Sequence, residues 1–222
     1  MDRLLSGDTL KQYRRVNSDK MLITYSIETL IRCLQIDDIT VVIEDEAWED
    51  LIRGDVAKRG LSLDKLHNPF WKARIYNRQS AVVEGIKAAY GWRTFKEEDI
   101  SEEDIFIIHD ASRPYITDKM ILDCLDSLEE CDGAVLMNGF EEQTPAAFHA
   151  RKYYRANEQL IKSKVDLENI SSLSAPAIEA GMKVKNILGY DNKNIETEAD
   201  WDNLQKRMLP VSYTHLSCRR RG

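Results

Sequence analysis

Residues 105–117, IFIIHDASRPYIT, set four apolar residues directly against a histidine, an aspartate and an arginine followed by proline. Asp110 can hold a metal ion, accept a sugar hydroxyl or orient a cation, and the planar fork of Arg113 suits phosphate or carboxylate. A structural ion pair at a strand end would use the same two residue types. His109 lies on the apolar run itself and is expected to be a structural imidazole rather than a base. Three other segments carry polar groups at suggestive places. Lys11 in KQY can meet phosphates as a point charge. Thr144 in Gln143-Thr144-Pro145 reads as a helix cap, with the proline suited to a first helical turn. Residues 191–194, DNKN, read as a turn.

These groups need a rigid frame. The run IFII fits a strand buried on both faces, and ligands of open α/β sheets bind beyond the carboxyl ends of the strands, where Asp110 and Arg113 would stand. Strand-length apolar runs recur at 39–43, 133–137 and 183–189. Between them lie segments of helical period. One is MLITYSIETLIRCLQ, with a stripe of Ile23, Ile27, Leu30, Ile31 and Leu34; another is SAVVEGIKAAYG, closing at Gly91. A third, TDKMILDCLDSLEECDG, is capped by Thr117 or Asp118, with Ile121, Leu125 and Leu128 on one face. Alternating strand and helix predicts an α/β domain with a mostly parallel twisted sheet flanked by helices.

The 222 residues suffice for one sizeable core, placed at residues 1–209, with 210–222 read as a disordered or foreign tail after Pro210 ends the helix of TEADWDNLQKRM. A formal charge of -7 argues against a nucleic-acid partner, although Arg219, Arg220 and Arg221 crowd the end. Four scattered cysteines without CxxC spacing indicate neither a zinc site nor a disulfide framework, and no run has membrane-spanning length, so a cytoplasmic setting is expected.

Taken together and in order, KQY, NRQS, HDASRP, QTPAAF and the DNKN turn before TEADW resemble one family from about residue 3 to about residue 208. That family is the 2-C-methyl-D-erythritol 4-phosphate cytidylyltransferases, with ribitol-5-phosphate cytidylyltransferase as close relative. HDASRP, and QTP with the following Phe148, carry the most specific likeness. The resemblance implies a Rossmann-like nucleotidyltransferase (GT-A-like) fold, Mg2+ as cofactor, CTP and a polyol phosphate as substrates, and a homodimer. It gives Lys11 the role of stabilising the pentacovalent phosphorus, with Arg3 as a second cation upstream. Asp110 and Arg113 fall near metal, ribose and acceptor phosphate, with Asp110 the metal ligand. Arg78 falls beside the cytidine pocket, Thr144 approaches the acceptor phosphate, and Lys193 orients the acceptor.

The chain also departs from the family pattern. It has no glycine-rich phosphate loop, Leu10 replaces the proline of PKQ, and Ala81 replaces a hydroxyl residue. NGFEE alone joins GAVLM to QTP where the family has an Asp-Thr pair and a dimerisation arm. Met137 stands at the place of an acceptor-positioning arginine, and the family lysine near the end aligns with Asn194, one position from Lys193. A truncated, internally shortened copy with weak or absent activity is therefore expected. A phosphoacceptor receiver domain with Asp110 as acceptor would need an acidic pair where KQYRR stands, so a nucleotide-binding remnant is the stronger noncatalytic reading.

Overall fold

The computed structural model describes residues 10–16, 20–67, 70–73, 78–91, 93–163, 170 and 172–208. Arg3, Asn77 of the NRQS segment and the tail 210–222 lie outside them. In chain order the elements are β1 (Arg15–Val16), β2 (Lys20–Met21), α1 (Leu22–Arg32), β3 (Val42–Ile43), α2 (Ala47–Ala57), β4 (Trp71–Lys72), α3 (Arg78–Ala89), β5 (Ile105–Ile108), α4 (Asp118–Asp126), β6 (Gly133–Asn138), β7 (Glu141–His149), α5 (Ala150–Lys162), α6 (Ser174–Glu179), β8 (Val184–Leu188) and α7 (Glu198–Arg207). The architecture is α/β, with helices on a mixed sheet.

The four-stranded sheet has the order β5-β7-β6-β8. β7 pairs antiparallel with both β5 and β6, and β6 pairs parallel with β8, so β5, β6 and β8 share one direction. The expected common direction is there, but β7 stands between two of its members and makes their pairings antiparallel. β5, expected to be buried on both faces, is an end strand of this sheet with Ile105 40% exposed.

β7 is one of the elements the sequence reading lacked. Its first half, Glu141-Glu142-Gln143-Thr144-Pro145, is polar and contains a proline, which marks edge strands or bulges. Pairing passes from Val135↔Ala146 to Leu136↔Gln143, so Thr144 and Pro145 fall in an irregularity where no ladder N–H is needed from the proline. The Thr144-Pro145 bond is cis. Thr144 is thus a strand residue and not a helix cap, and Pro145 opens no helix. The preceding hairpin turns at Gly139, whose φ of +60° favours glycine.

Other local readings hold with shifted edges. α1 buries Leu22, Ile23 and Ile27, while Leu34 lies past the helix and is exposed. α3 is followed by Gly91 at φ +77°, whose N–H donates to Ala88 O. Thr117 caps α4, its hydroxyl accepting from the Met120 N–H at 3.3 Å. The run 39–43 forms a strand only at Val42–Ile43, paired parallel with β4, with Ile39 bridging Leu66.

Among the described residues four apolar clusters hold the elements, of which two are the larger. One joins α1, α2 and β3 through Ile27, Ile43, Ile52 and Val56; the other joins the sheet to α5 and α6 through Val135, Phe148, Tyr153 and Ala177. Phe148 stacks on Tyr153 at 3.9 Å, and a Cβ on Gly133 would come within 2.4 Å of the Phe148 ring, so that position requires glycine. No described helix is long and apolar enough to cross a membrane.

Candidate functional site

Beyond the carboxyl end of β5 the chain turns through Asp110–Arg113, with the Arg113 N–H donating to Asp110 O at 3.0 Å. Asp110 closes an Asx-type turn: the Ser112 N–H donates to Asp110 Oδ1 at 2.9 Å. Ser112 Oγ lies 2.6 Å from that oxygen and 2.5 Å from Asn194 Oδ1, and its single proton serves one of them at a time. Burial alone would raise the Asp110 pKa. The two Ser112 hydrogen bonds and the Arg78 charge outweigh it and hold the carboxyl below its usual range, so Asp110 is ionised at neutral pH.

Lys11, in a 3-10 turn at Lys11–Tyr13, donates from Nζ to Asn194 Oδ1 at 3.2 Å. Tyr13 anchors that turn by stacking on Trp48 of α2 at 4.2 Å. Arg78, the first residue of α3, brings Nη2 to 3.8 Å from Asp110 Oδ2. Thr144 arrives from β7 and accepts at Oγ1 from the Asp110 N–H at 3.1 Å. Lys11, Arg78, Asp110, Ser112, Thr144 and Asn194, spread over more than 180 residues, are therefore brought to one place.

Arg113 and Lys193 are placed differently. The Arg113 guanidinium is buried and committed to protein acceptors: Nη1 donates to Asn192 O at 2.8 Å, and Nη2 to Glu141 Oε1 at 2.9 Å. Lys193 sends its ammonium to Asp200, 2.5 Å away at the start of α7, while its neighbour Asn194 faces Lys11 and Ser112. Ser112 and Asn192 were not singled out, although the position of Ser112 inside HDASRP could have flagged it; Asn194 entered only as the position aligned with the family lysine.

His109 meets the structural expectation. Its Nε2 lies 3.1 Å from Arg113 O and 3.0 Å from Ser26 Oγ; a proton on Nε2 serves the carbonyl and leaves buried Nδ1 without a partner. Burial pushes its pKa down to about 4 against the opposing charge of Asp110, and Arg113 and Arg78 add to the lowering. The imidazole is neutral at pH 7.

For a metal ion, the described residues contain no cluster of three or more His, Cys, Asp or Glu. Of the six residues brought together, Asp110 is the one that carries a carboxylate. One carboxylate fits Mg2+, which keeps several waters and is commonly completed by substrate phosphates. It does not fit an all-protein metal cage.

No family model matches the chain. A ribitol-5-phosphate cytidylyltransferase of Lacticaseibacillus paracasei is 25% identical over 166 residues, covering 75% of this chain, and the chain spans 62% of that protein's length. Among solved structures, a 2-C-methyl-D-erythritol 4-phosphate cytidylyltransferase of Francisella tularensis matches with TM-score 0.70 and 16% identity, covering 91% of this chain and 95% of the other. A 4-diphosphocytidyl-2C-methyl-D-erythritol synthase of Anaerococcus prevotii matches with TM-score 0.67 and 17% identity, covering 86% and 87%. The solved neighbours share the fold, the curated relative carries the sequence likeness, and both bear names of the cytidylyltransferase family that HDASRP and QTP resemble.

Proposed function

We propose that the chain is a cytidylyltransferase that moves CMP from CTP to a polyol phosphate with release of pyrophosphate, and that 2-C-methyl-D-erythritol 4-phosphate is the acceptor. The observation that carries this reading is the meeting of Lys11, Arg78, Asp110 and Thr144 beyond the end of β5, two cations and an ionised carboxylate at one place. An acceptor phosphate oxygen attacks the α-phosphorus in line, the bond to the leaving pyrophosphate breaks, and the protein contributes positioning and charge neutralisation. Lys11 faces the charge that develops on the α-phosphoryl oxygens. Arg78 holds the nucleotide beside Asp110, and Thr144, 1% exposed, serves the acceptor side through the Asp110 N–H that its hydroxyl receives rather than by direct contact with the phosphate. Arg113 fixes the Asp110 turn from behind through its bonds to Asn192 and Glu141. Asp110 would hold Mg2+, which when bound draws charge from the phosphate oxygens. Arg3, outside the described residues, is assigned the role of the family's second cation from the resemblance alone.

A second acceptor, ribitol 5-phosphate, is favoured by the named activity of the curated relative. Purified chain with CTP, Mg2+ and each polyol phosphate in parallel, read by pyrophosphate release, decides between them. The departures around Leu10, Met137 and Asn194 lead us to expect turnover below roughly 1 per second, the low end of ordinary enzymes. Calorimetric titration with CTP separates a nucleotide-binding remnant, which binds without turnover, from an enzyme. Absence of both CTP binding at millimolar nucleotide and pyrophosphate release would overturn the proposal.

A further inference from the structure

Residues 191–194 read as a simple turn, yet Asn192 within it is fully buried with all four of its polar groups engaged. Its N–H donates to Gln143 Oε1 at 2.8 Å, and its Nδ2 donates to Thr144 O at 2.7 Å. Its Oδ1 accepts from the Tyr115 N–H at 2.9 Å, and its carbonyl accepts from Arg113 Nη1 at 2.8 Å. The residues it meets are buried as well: Gln143 and Thr144 are 1% exposed and Arg113 5%. Three segments far apart in sequence, 113–115, 143–144 and the loop after β8, are thus tied at one residue.

We propose that Asn192 is the positioning residue of the site: it sets the spacing between the Asp110–Arg113 turn and the β7 irregularity, and through both the places of Asp110, Thr144 and Asn194. Thr144 explains why the spacing matters. Its carbonyl is held by Asn192 while its hydroxyl receives the Asp110 N–H, so a shift at Asn192 moves the group that supports the Asp110 backbone. Asn194, two residues on, carries the carbonyl oxygen shared by Lys11 and Ser112. The chemistry selects asparagine. The planar amide accepts from one segment and donates to another; aspartate loses the donor, serine is too short to span both, and glutamine adds a methylene where there is no free surface.

The activity arm of the test rests on the cytidylyltransferase reading; the exchange arm does not. Asn192→Ser and Asn192→Asp are made in the full chain, beside Asn157→Ser as control. Asn157 is also fully buried and donates from Nδ2 to Tyr153 O at 2.9 Å, but it lies in α5 outside the site. Thermal melts establish which variants fold. In a folded Asn192 variant, hydrogen exchange should accelerate by about tenfold or more together in 110–115, 143–144 and 191–194, while β6 and α5 keep their protection. Acceleration confined to 191–194 overturns the proposal. Turnover should fall by about 100-fold, as expected for misplacement of about 1 Å, with the KM for CTP changed far less. An equal turnover loss in Asn157→Ser overturns it, because the effect would then be general loosening. If the unaltered chain transfers no cytidylyl group, the functional reading fails and the exchange pattern still decides the role of Asn192. If neither Asn192 variant folds, the residue is a determinant of the fold and the proposal is wrong.

Discussion

On one side of the site, Arg113, Gln143, Thr144 and Asn192 are almost wholly enclosed and bound to one another across three segments. On the other, Lys11 and Arg78 are half-buried, reaching Asn194 at 3.2 Å and Asp110 at 3.8 Å. A buried polar group left without its partner costs far more than a solvated cation that loses one contact, so the enclosed side is the more sensitive of the two to substitution. The difference teaches that stability and chemistry are divided between the two sides, and substitutions should separate them.

The largest separation is expected at Lys11. Lys11→Ala removes a group aimed at developing charge, and loss of one such donor typically lowers turnover by about 100- to 1,000-fold. Its partial exposure keeps the expected stability change within about 0.5 kcal/mol. Pyrophosphate release and a urea unfolding curve on the same preparation measure both. A large stability loss would place Lys11 on the enclosed side and erase the contrast.

Arg113→Ala should show the reverse emphasis. It opens a cavity and deprives Asn192 O of its donor, while Glu141, itself exposed, can turn to water. A loss of about 2–3 kcal/mol is expected from urea unfolding. That is less than for a pair with both charges buried, because only one charge is enclosed here. A loss below about 0.5 kcal/mol would mean that the enclosed side is not where this stability resides.

How much of this was readable in the sequence follows the same division. Local patterns were legible: the apolar run of β5, the Thr117 cap, the glycine after α3, and the placement of Asp110 beyond a strand end. β7 was not, because its polar first half and Pro145 mask a strand that pairs on both sides. Asn138-Gly139 had nevertheless offered a strong hairpin signal. Helix α5 was passed over although Tyr153, Ala156, Asn157 and Leu160 mark its buried face at helical spacing. The tie at Asn192 could not be read, since its partners lie 48 to 79 residues away and two of them are backbone groups, the Tyr115 N–H and the Thr144 carbonyl. Whether Lys193 or Asn194 faces the site was equally hidden, because the two are adjacent in the loop and their partners, Asp200 for one and Lys11 and Ser112 for the other, lie in other segments.

His109 probes the enclosed side through pH. In the unfolded chain its imidazole titrates at the ordinary value of roughly 6.5, whereas burial holds the folded group at about 4. Between these values the unfolded state binds the extra proton, so this contribution is complete above about pH 6.5 and is lost as pH falls toward 4. With allowance for partial exposure, the loss amounts to about 2–3 kcal/mol. Unfolding curves at pH 7, 5.5 and 4.5 should be steeper in pH for the unaltered chain than for His109→Gln. Parallel slopes would show that the ring protonates without strain.

The smallest effect, and the sharpest test of where the boundary runs, concerns Lys193. Its hydrogen bond is the largest cause holding Asp200 below the usual carboxylate range, followed by the Thr197 hydroxyl and N–H and the Glu196 N–H, against a raising effect of burial. A carboxyl depressed on folding stabilises above its unfolded pKa and loses that contribution as pH falls through the folded value. Lys193→Ala should return Asp200 toward its ordinary value and flatten the stability profile below about pH 4, read by carboxyl NMR titration and by unfolding at pH 3 and 7. If instead turnover falls as far as in Lys11→Ala while the Asp200 titration stays in place, the lysine leaves Asp200 in solution to meet the substrate. In that case Lys193 belongs with Lys11 and Arg78 on the half-open side, and α7 is capped by Thr197 and Asp200 without its help.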